Sequence, residues 1–286
     1  MTSTDQNTVR HLTHTQGPNF SVGFRFLSSA KRRAVYAAYA VCRVADDIVD
    51  EVAPGADSED ARGRLDAWEA EIEAAYVGRP HHPVTRALAE SLDRFAVPKE
   101  AFFGLIEGCR MDLVKHRYAD FTELEHYCEL VAVTISDISL AIFGVLDRAA
   151  TSYGRDLALA LQLTNICRDV GEDTERGRIY LPLDELERFR VTEEQLFARN
   201  GDAPFRELMA FQTARARDHF HAANPLPQTL ERDARLGVRL MGLVYARILA
   251  RIAAEPEQVL HSRVALHGPD RARVILAGVL RRPFVR

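Results

Sequence analysis

Two segments of this chain carry aspartates four residues apart within runs of helix-forming, apolar residues. The first contains Asp46 and Asp50 after an Ala- and Val-rich run, and the second contains Asp169 and Asp173 after a Leu- and Ala-rich run. Because residues four apart lie on one face of an α-helix, each pair stacks like charges, which destabilises a helix unless something neutralises them. The pattern therefore predicts two acidic helix faces that bind cations.

Divalent cations are the expected partners of these faces. Mg²⁺ prefers carboxylate oxygens and commonly bridges them to substrate phosphates. Arg43 stands one turn before Asp46, and Arg168 directly precedes Asp169, and guanidinium groups bind phosphate oxygens in bidentate fashion. A single Asp-x-x-x-Asp is usually a solvated helix face. Two copies on apolar helices, each with an arginine, favour a metal-bridged diphosphate site.

Composition predicts one helical domain. The chain has 286 residues, of which 47% are hydrophobic, enough for a large core. Long runs rich in Ala, Leu, Glu and Arg are separated by breaks, one of them predicted at residues 151–154, and no Pro/Gly/Ser-rich linker divides the chain. We expect residues 1–18 to form a disordered segment and residues 19–286 a single all-α domain, a helical bundle around a central cavity.

Charge and cysteine usage restrict the partners. The net charge is −4 and there are no runs of like charge, so the sequence has no feature typical of nucleic-acid-binding proteins. The four cysteines have no C-x-x-C spacing, so buried free thiols in a reducing, cytoplasmic compartment are expected. No apolar run reaches 18 residues, so no transmembrane helix is predicted. The Arg-rich end, residues 271–286, predicts a solvated helix or peripheral contact with anionic lipid at the inner face of the membrane. The oligomeric state stays open.

Seven separated blocks resemble those of squalene and phytoene synthases, in the same order, between about residue 16 and about residue 265. They are Asn19-Phe20, residues 39–43, residues 46–50, Asp112-Leu113 with Tyr118, Tyr127-Cys128, residues 162–169 and residues 176–182. The resemblance implies a class I isoprenoid synthase fold. It also implies Mg²⁺-dependent, head-to-head condensation of two prenyl diphosphates through a cyclopropyl diphosphate, a step of squalene and carotenoid biosynthesis.

The resemblance and the charge chemistry together assign roles to residues. Two or three Mg²⁺ ions are expected on oxygen ligands, namely Asp46, Asp50, Asn165, Asp169 and Asp173. The four aspartates and Tyr127 are the predicted catalytic residues. The predicted substrate-binding residues are Tyr39, Arg43, Gln162, Asn165, Arg168, Arg178, Tyr245 and Arg263. Arg176, Arg178 and Tyr180 belong to a loop that would close over the diphosphate and exclude water. The alternative is an exposed loop with ordinary surface arginines.

Two departures from the family pattern affect the prediction. Val133 and Ser136 stand where the family has glycines, so we expect a straighter helix here. Ser136 and Ser139 either add hydroxyl groups to a pocket wall or bond back to helix carbonyls, and the effect of Asp137 is left open. Near the N-terminus, Pro18 stands where relatives carry a basic phosphate-binding run, which predicts an altered diphosphate subsite.

Three functions compete on this sequence. Condensation of two farnesyl or two geranylgeranyl diphosphates is favoured. The reductive route to squalene would also need NADPH. The chain has no Gly-x-Gly-x-x-Gly nucleotide motif, but the family does not use that motif to bind NADPH. A class I cyclase or lyase that ionises one prenyl diphosphate is the alternative. A non-catalytic assembly factor is the third, and the two intact aspartate motifs argue against it.

Overall fold

The computed structural model describes residue 24, residues 26–52 and residues 58–285. Within this part of the chain the structure is helical, and its β pairing is an isolated bridge between Val145 and Leu230. The predicted all-α fold is therefore confirmed. The helices are α1 Ser29–Asp50, α2 Glu59–Tyr76, α3 Pro83–Leu92, α4 Lys99–Asp112, α5 Phe121–Cys128, α6 Thr134–Phe143, α7 Ala150–Arg168, α8 Val170–Glu175, α9 Leu183–Phe189, α10 Glu193–Phe197, α11 Ala203–Ala223, α12 Arg232–Ala254 and α13 Gly268–Val279.

The described chain divides into two compact units that interleave along the sequence. The first comprises the described residues up to Val114, Val133–Thr151 and Leu226–Val238, and the second comprises Lys115–Ala132, Ser152–Pro225 and the chain from Arg239 onward. The single domain over residues 19–286 stays a prediction. The segment 1–18, Pro18 and the Asn19-Phe20 block lie outside the described residues.

Helix α1 is the centre of the first unit. It packs against α2, α3, α4 and α6 through a face of Ala, Val and Ile side chains. The indole of Trp68 on α2 donates a hydrogen bond to the carbonyl of Val41 at 3.1 Å. At the start of α1 the buried Lys31 ammonium donates to the carbonyl of Phe143 at 2.8 Å and pairs with Glu231 and Asp233. These contacts hold the apolar side of α1 against its neighbours, which leaves its polar stripe on the opposite side.

Helices α9 and α11 of the second unit pack around a buried polar network. Glu185 is 6% exposed and accepts hydrogen bonds from the amide of Gln212 and the guanidinium of Arg215. The same guanidinium lies 3.8 Å from the ring centroid of Phe121. Asp202 caps α11 by accepting from the N–H of Phe205 at 3.1 Å. Because every charge in the network has a partner, its burial is compatible with a stable core.

One predicted break is displaced. Residues 151–154 lie inside α7, which begins at Ala150, and the chain turns earlier, at Gly144 with φ of +79°. The positive φ of Gly144 favours a glycine at this turn, and a Cβ atom there would also displace the Glu231 side chain, which lies 2.5 Å from its position. The predicted break is wrong because Gly154 is buried within the helix, where close packing outweighs its low helix propensity.

The helix that was expected to be straighter contains a π-helical segment. Residues Glu129–Val133, between α5 and α6, have π-helical geometry, which the expectation of a straighter helix did not include. A π segment inserts one residue per turn and rotates the side chains beyond it, and it needs no glycine. In the described residues Phe121–Phe143 is also the one helix that meets the length and composition criteria of a membrane span, with mean hydropathy 1.4 and 33% of its window buried. The sequence pattern predicted no such helix, because no apolar run reaches 18 residues. Core helices meet the same two criteria, so this finding by itself does not indicate a membrane span.

Candidate functional site

The first aspartate pair lies on the last two turns of α1. The Ala and Val face of this helix is buried, while Tyr39, Arg43 and Asp46 are half-buried and Asp50 is exposed. All four belong to the polar stripe that the spacing of three and four residues predicts. The polar groups that remain accessible on the last three turns of this helix are therefore a phenol, a guanidinium and carboxylates.

Arg43 is shared among the carboxylates of this stripe. Its guanidinium pairs closely with Asp47, lies 3.2 Å from the Asp50 carboxylate and 3.9 Å from that of Asp46. Burial opposes the charge on Arg43, but these three carboxylates outweigh it and raise its pKa. The Nε atom of Arg43 is buried and has no hydrogen-bond partner in the described structure. Asp47 was not predicted as a site residue, and it holds Arg43 beside Asp46 and Asp50.

Asp46 is the most strongly perturbed carboxyl group of the first unit. Loss of hydration raises its pKa to about 7, the charges of Asp50 and Asp112 add to the rise, and Arg43 opposes it. The side chain nevertheless keeps 46% of its surface accessible, as expected for a group that is surrounded by protein atoms but still reached by water. The Cys109 thiol approaches its carboxylate at 3.8 Å. A cation at this position would offset both the desolvation and the repulsion.

Asp112 acts on this site, although no role was predicted for it. It is the last residue of α4, and its charge acts on Asp46 of α1. Its membership of the Asp112-Leu113 block was the available signal. The contact itself depends on α4 packing against α1, which no local pattern in the sequence predicts.

The second aspartate pair lies at the junction of α7 and α8. Asp169 has φ of −101° and ψ of 11°, which separates the two helices. The hydrogen bonds from Asp169 N–H to Asn165 O (2.9 Å) and from Asp173 N–H to Asp169 O (2.8 Å) nevertheless preserve the i→i−4 pattern. Asn165, Asp169 and Asp173 thus remain about one turn apart, and the predicted helical spacing survives the break.

Asn165 presents an oxygen without a partner. Its amide nitrogen donates to the side chain of Gln162 at 3.3 Å, while its Oδ1 atom is buried and accepts no hydrogen bond within the described structure. A buried acceptor left unpaired costs free energy unless a ligand occupies it. A neutral amide oxygen one turn before Asp169 is a suitable ligand for a hard cation.

Asp169 is held by two arginines. Arg168, whose side chain is 8% exposed, binds its carboxylate through two hydrogen bonds of 2.8 and 2.6 Å. Arg263 approaches the same carboxylate at 3.3 Å. The phenol of Tyr245 is buried, which raises its pKa, and it interacts with Arg168. The structure therefore brings together four predicted residues, Arg168, Asp169, Tyr245 and Arg263, from α7, α12 and the segment after α12.

The loop after α8 is anchored to the segment that precedes α5. Arg178 N–H donates to the Asp173 carbonyl at 2.9 Å, and Ile179 N–H donates to the His116 carbonyl at 3.0 Å. Arg117 donates to the Gly177 carbonyl at 2.7 Å. Of the two arginines predicted to close over a diphosphate, Arg176 is exposed and Arg178 is half-buried. Arg176 thus lies on the surface, as the alternative of an exposed loop predicts, whereas the backbone of Arg178 is hydrogen-bonded to Asp173 of the second aspartate pair.

Three tyrosines form a stacked cluster beside this loop. The ring of Tyr180 lies 5.3 Å from that of Tyr127 and 5.7 Å from that of Tyr118, and the latter two are 5.5 Å apart. Tyr127 was predicted as catalytic and Tyr180 as a loop residue. No role was predicted for Tyr118, whose ring contacts the rings of both Tyr127 and Tyr180. Aromatic faces at such distances can stabilise a nearby cation.

Gly171 controls how α8 packs. A Cβ atom at this position would lie 2.6 Å from the carbonyl oxygen of Val259 and 2.8 Å from that of Leu260, both backbone atoms. We expect Gly171→Ala to displace α8 and with it Asp169 and Asp173, lowering stability by about 1–3 kcal/mol and reducing turnover. Gly63→Ala, where nothing lies within 4 Å, is the control. Thermal unfolding and initial rates measure both effects, and a Gly171→Ala enzyme indistinguishable from the control would refute the packing argument.

Asp137 is a half-buried carboxyl group on α6. Burial alone raises its pKa, and it has no hydrogen bond or ion pair in the described part of the chain. The folded state favours the protonated acid. The contribution of Asp137 to the free energy of unfolding is therefore fully present below its unfolded pKa and is lost as pH rises through its folded pKa. Asp137→Asn should therefore raise the melting temperature at pH 7.5 by about 1–2 °C, and the gain should shrink towards pH 5. A lower melting temperature at pH 7.5 would show that the carboxylate has a stabilising partner.

The donor set of each pair suits Mg²⁺ bound together with a phosphate. The described residues contain no group of three or more His, Cys, Asp or Glu side chains placed to hold an ion. Mg²⁺ typically takes one or two carboxylates and completes its octahedron with water and substrate phosphate. The pairs Asp46 with Asp50 and Asp169 with Asp173, the latter next to the unpaired Asn165 oxygen, offer such partial shells. A cavity of about 880 Å³ among α11, α12 and α13 is lined by no residue of either motif.

Comparison with known proteins gives consistent matches. A family model described as squalene/phytoene synthase matches residues 13–270. The phytoene synthase of Arthrospira platensis is 39% identical over 89% of this chain and 85% of its own length. The 15-cis-phytoene synthase of Synechocystis is 37% identical over 92% of this chain and 80% of its own.

Solved structures agree with these sequence matches. The squalene synthase HpnC from Alicyclobacillus acidocaldarius is 33% identical, with a TM-score of 0.81 over 88% of this chain and 94% of that one. A dehydrosqualene synthase in complex with a ligand is 25% identical, with a TM-score of 0.86 over 97% of each chain.

Proposed function

The chain belongs to the squalene/phytoene synthase family, and from that premise we propose which substrate it uses and which residues carry out its reaction. It is a prenyltransferase that condenses two prenyl diphosphates head to head. The family is dependent on Mg²⁺ in general. The substrate length, the residue roles and the metal sites described below are the proposal.

The proposed substrate is geranylgeranyl diphosphate, and the product is of the phytoene type. The observation that carries this choice is the likeness to two proteins named phytoene synthase, at 39% and 37% identity over at least 80% of their lengths. The likeness to squalene and dehydrosqualene synthase structures is lower, at 33% and 25%. Farnesyl diphosphate with a C30 product is the competing assignment.

The atom balance of this reaction requires no reductant. Two C20 diphosphates lose two diphosphate ions and two protons, and the remaining carbon skeletons join into one C40 hydrocarbon. A squalene-type product would replace one proton loss by a hydride, which NADPH would supply. We therefore propose that NADPH is not used.

The first acidic face binds one diphosphate. Asp46 and Asp50 would hold Mg²⁺, and the bound ion would supply Lewis-acid stabilisation of the leaving group. Arg43 already contacts three carboxylates through its terminal nitrogens, and its buried Nε atom has no partner. Arg43 can donate to a phosphate oxygen and thereby orient the substrate. The Tyr39 phenol, one turn earlier on the same stripe, would bind the same group.

The second acidic face would also bind Mg²⁺ and stabilise the negative charge of the leaving diphosphate. Asn165, Asp169 and Asp173 would be the metal ligands, and the unpaired Oδ1 atom of Asn165 supports its part in this set. Arg168 and Arg263 hold the Asp169 carboxylate in position and offer positive charge to phosphate oxygens. The remaining proposed substrate-binding residues of the second unit are Gln162, Arg178 and Tyr245.

Loss of diphosphate leaves an allylic cation that water would quench. The cluster of Tyr118, Tyr127 and Tyr180 presents aromatic faces, which stabilise a nearby cation electrostatically. Because the loop that carries Tyr180 is hydrogen-bonded to residues 116–119, the ring has a fixed position. Tyr127 is the member of this cluster that we assign to the catalytic set.

Product analysis tests the proposal. Purified protein is incubated with Mg²⁺ and either farnesyl or geranylgeranyl diphosphate, with and without NADPH, and extracts are analysed by mass spectrometry. We expect a C40 hydrocarbon from the C20 substrate without NADPH and none after chelation of the metal. A C30 product from the C15 substrate alone would overturn the chain length. A C15 or C20 hydrocarbon or alcohol alone would indicate a lyase, and no turnover without Mg²⁺-dependent diphosphate binding would indicate a non-catalytic protein.

We also propose a cytoplasmic enzyme in peripheral contact with the inner face of the membrane. The proposed C40 product is insoluble in water, and a bilayer is the phase that would accept it. The arginine-rich end of the chain is consistent with attraction to an anionic surface.

A further inference from the structure

Helix α13 presents a large apolar face to solvent. Ile275, Leu276, Val279 and Leu280 are 53%, 59%, 63% and 55% exposed. They account for four of the ten exposed large hydrophobic side chains in the described part of the chain; three lie in the 12-residue helix, and Leu280 directly follows its last residue. Their spacing of one, three and one residues places them side by side on one face. Contiguous exposed apolar side chains of this kind mark interaction surfaces.

Arginines surround this apolar face. Arg271 and Arg273 precede it, Arg281 and Arg282 follow it, and all four are exposed. Residues 271–282 contain no acidic side chain, whereas the chain as a whole has a net charge of −4. Asp270, the acid at the start of the helix, is 5% exposed and pairs with Arg247 at 3.1 Å, with Arg251 at 3.4 Å and with Arg273 at 3.6 Å. Of the four outer arginines it therefore partly offsets the charge of Arg273. The surface is therefore both apolar and locally basic.

The helix is fixed at both ends, which keeps this face outward. At its start, Asp270 is buried against arginines of α12. Beyond its end, Phe284 is 7% exposed, its N–H donates to the Asn224 side chain at 2.7 Å, and its ring fills the space beside Gly242, where a Cβ atom would lie 2.5 Å away. Val274 and Gly278 form the buried side of the helix. A rotation that buried the apolar face would break these anchors.

From these observations we propose that the outer face of α13 docks on an anionic lipid bilayer. The four apolar side chains enter the boundary between headgroups and acyl chains, and the arginines contact lipid phosphates. We assign the bilayer as the occupant because exposed arginines flank the apolar face at both of its ends, and an anionic lipid surface offers phosphates to these arginines and acyl chains to the apolar side chains. This inference rests on the peripheral membrane contact proposed above and assigns the surface that makes it.

Vesicle sedimentation tests the docking surface with the full chain. Vesicles of phosphatidylcholine with and without phosphatidylglycerol are mixed with wild-type protein and with the double variants Ile275→Ser/Leu276→Ser and Arg281→Glu/Arg282→Glu. We expect binding to the anionic vesicles, and each double variant should reduce the bound fraction about tenfold or more. Leu146→Ser/Arg148→Glu is the matched control, because Leu146 is 62% exposed and Arg148 is exposed. It should bind like the wild type.

Two results would overturn the inference. One is equal binding by wild type and both α13 variants, or no binding at all. The other is light scattering that shows a wild-type oligomer dissociated by Ile275→Ser/Leu276→Ser, which would make the face a contact between copies. Activity on detergent-dispersed substrate is measured in parallel and should be unchanged in every variant. Turnover without vesicle binding would refute the docking surface alone, and vesicle binding without turnover would refute the proposed reaction alone.

Discussion

Asp46→Ala is expected to lower kcat by about 1,000-fold or more without lowering the melting temperature. Loss of a metal ligand removes several kcal/mol of transition-state stabilisation, and about 4 kcal/mol corresponds to a thousandfold in rate. Stability should hold or rise, because desolvation and two neighbouring acids disfavour the Asp46 carboxylate in the folded protein. The rate under saturating substrate and Mg²⁺, together with thermal unfolding, measures both.

Asp66→Ala is the control for this variant. Asp66 is an exposed acid that pairs with Arg110 on the surface of the first unit, so its removal should leave the rate unchanged. A rate for Asp46→Ala above roughly a tenth of the wild type would contradict the assignment of this residue, since a lost metal ligand should cost far more.

Asp169→Ala is expected to lose turnover to the same extent and to lose stability as well. Its carboxylate is the partner of Arg168, which is 7% exposed, and removing one member of a buried ion pair costs about 3–5 kcal/mol because the other charge remains. The melting temperature should therefore fall, in contrast to Asp46→Ala. Denaturant unfolding and initial rates separate the two effects.

A double variant isolates the ion pair from the chemistry. Arg168→Met/Asp169→Leu removes both charges, and it should recover most of the stability lost in Asp169→Ala while remaining inactive. An Asp169→Ala protein as stable as the wild type would show that Arg168 finds another partner. Recovery of activity in the double variant would refute the metal-ligand role of Asp169.

The fold was predictable where local periodicity determines it. Helix α1 carries a period of three to four residues over its whole length, and the structure places its stripe as the period predicts. The π segment at Glu129–Val133 and the early end of α6 at Gly144 were not predictable. Both depend on tertiary packing, which overrides helix propensity at single residues.

The sequence predicts which aspartates lie together on a helix face, but not which residues surround them. The pairs Asp46 with Asp50 and Asp169 with Asp173 follow from spacing alone. The partners Asp47, Asp112 and Tyr118 were missed, because they depend on which rotamer Arg43 adopts and on contacts between distant segments. The unpaired, buried amide oxygen of Asn165 could be seen only in the structure, because it depends on how the side chains around α7 pack.

Anomalous diffraction from crystals grown with Mn²⁺ and a thio-substituted, non-ionising prenyl diphosphate tests the central claim most directly. Mn²⁺ replaces Mg²⁺ on oxygen ligands and its scattering locates each ion. The account predicts ions within about 2.2 Å of carboxylate oxygens of Asp46 and Asp50 and of oxygens of Asn165, Asp169 and Asp173, each also bound to a diphosphate oxygen. Diphosphate bound elsewhere, with no ion on either aspartate pair, would contradict it.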